Sequence, residues 1–317
     1  MGAPTASATA MGGLPPTTNE FLSNDGIGLS LPHLAHRNKW HKYLIDLSYT
    51  PFGLPFLYSL ASLKNSSPMT PPLLSPPPAG TLVTLAVMGP DARRFLQGQC
   101  TQDVLTLPAG ASTRAAILTP QGRIFALAWV RGVEEGLRLL LPADLADRLR
   151  AHLLRYLLRS KVELSLTPTL ETDLEGPHAV RLASNCADWR LAGIRAGEPE
   201  VSAATASEWI PQMLNLDLLG AISFQKGCYT GQEIVARTQH LGRIKRRLCR
   251  YRLDGPAPEA LDTLLADGVK VGEVVVAAAD GPAAECLAVV GLESRHRTLT
   301  LLDGRLCTPE ALPYAVP

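Results

Sequence analysis

The stretch STRAAILTPQGRIFALAWV, residues 112–130, decides how the chain is read. Two apolar runs flank Pro120-Gln121-Gly122, and a short turn of that composition folds such runs back on each other as an antiparallel hairpin. Upstream, TLVTLAVM (81–88) alternates as a strand does and Gly89-Pro90 ends it. Asp91 stands where a helix cap belongs, ahead of ARRFLQGQ, whose Ala92, Phe95 and Leu96 fall on one face at helical spacing. Downstream, GLRLLL (136–141) reads as a further strand, and Pro142 opens ADLADRLRAHLLRYLLRS (143–160). Leu145, Leu149, Leu153 and Leu157 recur there every four residues, the pattern of an amphipathic helix. KVELSL (161–166) returns as a strand. The order β-α-β-β-β-α-β predicts an α+β fold, a ferredoxin-like antiparallel sheet with helices on one face. After residue 247, LCRYRL, KVGEVVVAA, ECLAVVGLES and TLTLLD alternate with Asp-Gly turns, which predicts a small C-terminal β-barrel or sandwich as a separate module.

The 317 residues suffice for two or three domains, and a net charge of +1 gives no global field toward nucleic acid or membrane. Six cysteines without a CxxC or a cysteine-histidine ligand spacing point to a reducing cytoplasmic setting. Residues 1–80 hold 12 of the 26 prolines and no cysteine, and they close on the linker NSSPMTPPLLSPPPAG (65–80), so they are set apart as a disordered extension. Met69 and Met88 are alternative starts. The most apolar part of that extension, residues 43–64, is interrupted by Asp46, Pro51, Gly53 and Pro55, so neither a membrane span nor a membrane partner is expected. The remaining modules are expected at 81–188, 189–247 and 248–317.

FQKGCYTGQEIVAR (224–237) contains the chemistry. Thr230 and Glu233 stand three apart ahead of Ile234-Val235, the signature of a capping box, which starts a helix at Gly231; Gly242 ends it in the left-handed C-terminal position. Cys228 then lies just upstream of a helix N-terminus with the ammonium of Lys226 nearby, a setting that favours thiolate over thiol. Gly227 and Gly231 allow a tight turn and close approach of a ligand. A buried structural cysteine is the competing reading. By themselves, Lys226 is a solvated charge, Tyr229 a packing residue and Glu233 a cap.

KGCYTGQE (226–233) resembles the signature of the YgfZ family, folate-binding relatives of the glycine-cleavage aminomethyltransferase that assist iron-sulfur enzymes. FLQGQCTQDV (95–104), RYLLRSKVEL (155–164), residues 209–237 and LPY (312–314) resemble family segments in family order, so the likeness covers about residues 80–317. The resemblance implies an aminomethyltransferase-like architecture of ferredoxin-like modules and a barrel, with tetrahydrofolate in a central groove. Cys228 is then the functional thiol, aided by Lys226, Tyr229 and Glu233, while Trp189, Gly227, Gly231, Gln232 and Arg237 are folate-binding candidates. No permanent metal is implied, only a transient iron-sulfur contact at Cys228. The family's other folate-associated tryptophan falls at Leu82, and the segment from about Leu166 to Asp188 is shorter than in relatives.

The aminomethyltransferase relatives use an acidic residue near the strand after the hairpin turn, and Arg123 to Val130 contain no carboxylate, which argues against transferase catalysis. The leading expectation is a folate-binding accessory factor for iron-sulfur cluster assembly or repair in client enzymes, including tRNA-thiolating ones, with tRNA an indirect partner. Thiolates are soft donors suited to that chemistry. The alternatives are a tetrahydrofolate-dependent one-carbon enzyme and a direct tRNA-binding protein. The second rests on RIKRRLCRYR (243–252), whose charges equally suit one solvated strand face.

Overall fold

A computed structural model describes Gly2, residues 82–167, Thr169 and residues 186–317. The expected extension, Gly2 apart, and most of the shortened segment at 166–188 lie outside the described residues. The first module runs β1 (Leu82–Met88), α1 (Ala92–Gln97), β2 (Ser112–Leu118), β3 (Ile124–Val133), β4 (Gly136–Pro142), α2 (Ala143–Leu154) and β5 (Glu163–Thr167), the expected order. These strands form one antiparallel sheet ordered β2-β3-β4-β1-β5. Strands β5-β1-β4-β3 are the ferredoxin-like core, in which β4 splits the β1-α1-β3 unit, and β2 is an added edge strand.

The hairpin turn closes where its sequence predicts: Thr119 N–H donates to Arg123 O at 2.8 Å, and Gly122 takes φ +72°. Helix α2 buries Leu145, Leu149 and Leu153 completely, each side chain contributing about 1.5–3 kcal/mol. It ends at Leu154, three residues before the last leucine of the pattern, Leu157, because the chain must reverse to lay β5 beside β1. Short-range bonds tighten the exit, and Leu158 enters the left-handed region at φ +43°. Asp91 does not cap α1; its carboxylate accepts from Lys161 N–H at 2.8 Å and ties this exit to the start of the helix.

Six further strands, β6 (Arg246–Asp254), β7 (Thr263–Ala266), β8 (Val269–Asp280), β9 (Ala283–Gly291), β10 (Leu299–Leu301) and β11 (Leu306–Glu310), close a barrel in the order β10-β11-β6-β9-β8-β7. Cys249, Tyr251, Leu253, Cys286, Ala288, Val290 and Cys307 belong to the barrel's own core. Leu248, Leu287 and Val289, at alternate positions, join the core of the sheet module instead. Strand β9 is thus buried on both faces, which explains the apolar run Cys286 to Val290 within it. The short strands β7 and β11, the latter containing Pro309, escape sequence reading because barrel closure places them despite weak local signals.

Residues 189–245 add no strand. They contribute most of α3 (Cys186–Arg195), a 3-10 turn (Pro211–Leu214) and α4 (Gln232–His240), with α3 packed on β8 and β9. Arg195 reaches Glu285 and Asp280, each at 2.8 Å, and Arg250 joins Glu285 at 2.9 Å, so an ion-pair network fastens α3 to the barrel.

Candidate functional site

The motif loop is held from beneath by the sheet module. Gly231 takes φ +81°, and a Cβ there would come within 2.6 Å of Thr119 O, so only glycine lets α4 seat against the hairpin turn. On the facing side, a Cβ on Gly122 would lie 2.5 Å from that of Ile234. Lys226 is buried, and its ammonium donates to the carbonyls of Gln97, Cys100 and Gln102 at 2.7, 2.7 and 2.9 Å. All three ammonium donors are thereby engaged. Tyr229 packs its buried ring 5.1 Å from that ammonium, and burial pushes its phenol up to about 12. Burial also lowers the Lys226 pKa.

This arrangement corrects the sequence reading of the thiol's neighbourhood. Lys226 is neither a solvated charge nor a partner for Cys228; it cages the end of α1. The expected capping box is absent as well. Gly231 is the N-cap of α4, Thr230 directs its hydroxyl to Gln99 Oε1 at 3.4 Å, and Glu233 is exposed and paired with Arg237 at 2.6 Å. Gln232 does the local work, its Oε1 accepting from Tyr229 N–H at 3.2 Å. Gly242 is not left-handed; a Cβ there would press on the Thr238 backbone at 3.0 Å. Gly227 has open space around it, and Cys228 is exposed, whereas Cys100, Cys249, Cys286 and Cys307 are buried. Burial raises the Cys100 thiol to about 11, against the opposing field of Lys226.

Trp189 lies elsewhere. It lines a cleft, about 630 Å³ with its solvent-open mouth included, on the sheet face opposite α1 and α2. Leu82, Trp129, Arg114, Arg190, Glu198 and Glu200 line the same cleft, and Cys228 does not. Arg114 lies 4.8 Å from the centre of the Trp129 ring and 3.7 Å from Glu198. Arg190 pairs with Glu200 at 2.9 Å. Burial raises the Glu200 carboxyl above the ordinary range, with Arg190 opposing. Sequence reading missed Trp129, Glu198 and Glu200; the inward phase of β3 could have flagged the first, but nothing local marks the glutamates. Arg114, one of the hairpin residues that line the cleft, is four positions from Leu118, which lies against the motif, a span of about 14 Å along a strand.

The carboxylates are placed by the chain's end. Tyr314 donates its hydroxyl to Gly197 O at 2.7 Å and accepts from Asn215 Nδ2 at 3.3 Å. Asn215 in turn donates to Leu248 O, and its Oδ1 lies 3.4 Å from Arg247. Arg247 is buried and forms a bidentate pair with Asp217 at 2.7 and 2.9 Å. The basic run is therefore largely spoken for: Arg246 faces Glu273, Arg250 Glu285 and Arg252 Asp280. Only its first residues, Arg243 and Lys245, are exposed without an ion pair among the described residues.

No helix among the described residues is long and apolar enough to cross a membrane. No protein-family model matches the chain. An uncharacterized protein of Haemophilus influenzae is 33% identical over 196 residues, 53% of this chain and 70% of its own length. The tRNA-modifying protein YgfZ of Klebsiella pneumoniae is 29% identical over 248 residues, covering 58% of this chain and 75% of that protein. Among solved structures, the glycine cleavage system aminomethyltransferase T of Bartonella henselae superposes with a TM-score of 0.57 at 15% identity, over 74% of this chain and 84% of that one. That last likeness concerns the fold alone.

Proposed function

The chain belongs to the YgfZ family, and on that premise we propose that it is a cytoplasmic, folate-binding accessory protein that assists assembly or repair of iron-sulfur clusters in client enzymes, tRNA-thiolating ones among them, through Cys228. The observation that carries this reading is the setting of that thiol. It stands exposed on a loop whose Lys226, Tyr229 and Gly231 are committed to holding the backbone in place, while the other cysteines with described side chains are buried. A soft donor displayed on a rigid platform is suited to a transient bond with iron or sulfur that a client supplies.

The cleft supports folate as the cofactor. Trp129 and Trp189 offer flat apolar surface for a pterin, Glu198 and Glu200 are acceptors matching the amide and amino N–H groups on its edge, and Arg114 and Arg190 suit the acidic tail. Folate would supply one-carbon chemistry there. Gly227, Gly231, Gln232 and Arg237 do not line this cleft, so folate binding is assigned to Trp189 and its neighbours.

The presence of Glu198 and Glu200 in the cleft favours one alternative, a one-carbon transferase, since these carboxylates replace the one absent from β3. Direct tRNA binding has less support, because most of the basic run is neutralised within the fold. The decisive experiment replaces Cys228 with Ala in cells and measures client activity and thiolated tRNA, with tetrahydrofolate titration of tryptophan fluorescence on the purified protein. Client activity is expected to fall at least tenfold with folate affinity unchanged. Full client activity in the variant would remove the thiol from the mechanism, and turnover of an aminomethyl donor would establish the transferase instead.

A further inference from the structure

Away from the cleft, an open groove of about 1400 Å³, its solvent side included, runs between α1 and the turn that follows α2. Arg94 and Gln99 stand on one side, Leu158 and Arg159 on the other. The groove reaches the motif loop: Thr230 N–H donates to Gly98 O at 3.2 Å and its hydroxyl lies 3.4 Å from Gln99 Oε1. One end of it is thus two residues from Cys228.

Three features of this groove serve no purpose inside the fold. Leu158 is 92% exposed and sits at φ +43°, a conformation in which a Cβ is crowded and which glycine ordinarily supplies after a helix. Leucine there gains neither a relaxed backbone nor packing. Arg94 and Arg159 are both exposed and have no ion-pair partner among the described residues. Asp91, the acid within the groove, already accepts from the Lys161 backbone. The surface therefore presents one projecting apolar side chain beside Arg159 and across the groove from Arg94, two guanidinium groups without an ion-pair partner among the described residues. A nucleic-acid backbone would satisfy the charges and leave Leu158 in water. A protein segment with carboxylates beside an apolar recess would satisfy all three.

We propose that this groove docks the client protein through such an acidic segment and thereby brings the client to Cys228. The proposal rests on the reading of Cys228 as the acting thiol, and its own test is binding. The full chain, Leu158→Gly and the double variant Arg94→Glu/Arg159→Glu are titrated against a purified tRNA-thiolating iron-sulfur enzyme and, separately, against fluorescein-labelled tRNA. Melting temperatures are measured in parallel. Both variants are expected to bind the enzyme at least tenfold more weakly, and Leu158→Gly is expected to melt no lower than the parent, since glycine relaxes the left-handed turn. Enzyme binding unchanged in both variants, or absent in the parent, overturns the proposal. So does a loss confined to tRNA, which would assign the groove to nucleic acid. Cys228→Ala with full client activity would fell the thiol reading while leaving the docking result to stand on the titration.

Discussion

At its turn, the β2–β3 hairpin meets a contiguous motif whose shape is dictated by backbone, with Gly231 against Thr119 and Lys226 among three carbonyls. Toward its other end the same hairpin walls a cleft assembled from β1, β3, β4, α3, the 198–200 segment and β8. In the motif, Lys226, Tyr229, Gly231 and Gln232 have structural duties that can be mistaken for chemistry. The cleft has no single indispensable backbone contact, and its geometry depends on distant braces such as Tyr314 and Arg195.

If that contrast is right, the largest effect comes from the motif. Lys226→Met keeps the length of the side chain and removes the ammonium, taking that donor from the carbonyls of Gln97 and Cys100 and leaving Gln102 O with only the Cys100 thiol, so unfolding in urea is expected to show a loss of about 3 kcal/mol. A loss below about 1 kcal/mol would mean that water reaches those carbonyls and that the platform is not rigid.

The cleft is expected to respond less. Tyr314→Phe removes the bond to Gly197 O and the acceptor for Asn215, which is expected to cost about 1–3 kcal/mol in the same assay and to weaken tetrahydrofolate binding severalfold by releasing the turn before Glu198. Unchanged folate affinity would detach the C-terminal brace from the site.

The smallest effect is a slope. Burial raises the Glu200 pKa above its ordinary 4.5, so the folded protein holds this proton more tightly than the unfolded chain. The stability contributed by that carboxyl is fully present below the unfolded value and is lost as pH rises through the folded one. As pH rises above the ordinary carboxylate value, Glu200→Gln is therefore expected to lose less stability than the parent, read from parallel denaturation curves. Equal slopes would place Glu200 in a wetter and better-paired setting than the cleft geometry implies.

Much of the fold is legible along the chain because its signals are local. The Pro120-Gln121-Gly122 turn, the four-residue leucine repeat of α2 and the Asp-Gly turns between barrel strands each act over a few residues. The failures are also instructive. Thr230 and Glu233 have the spacing of a capping box, yet the tertiary contact of Gly231 with Thr119 moves the cap one residue on and leaves Glu233 to pair with Arg237. Lys226 reads as a neighbour of Cys228 because only Gly227 separates them, but the carbonyls that claim its charge are more than 120 residues away in sequence.

By itself, the sequence determined the order of strands and helices in the first module, the strand-rich character of the C-terminal one and the motif that displays Cys228, since periodicity, turns and glycine requirements are written into neighbouring residues. Only the tertiary structure decided what surrounds that thiol and what lines the cleft. Burial of a charge and convergence of side chains depend on pairs such as Lys226 with Gln97, or Tyr314 with Gly197, whose partners the chain brings together only by folding.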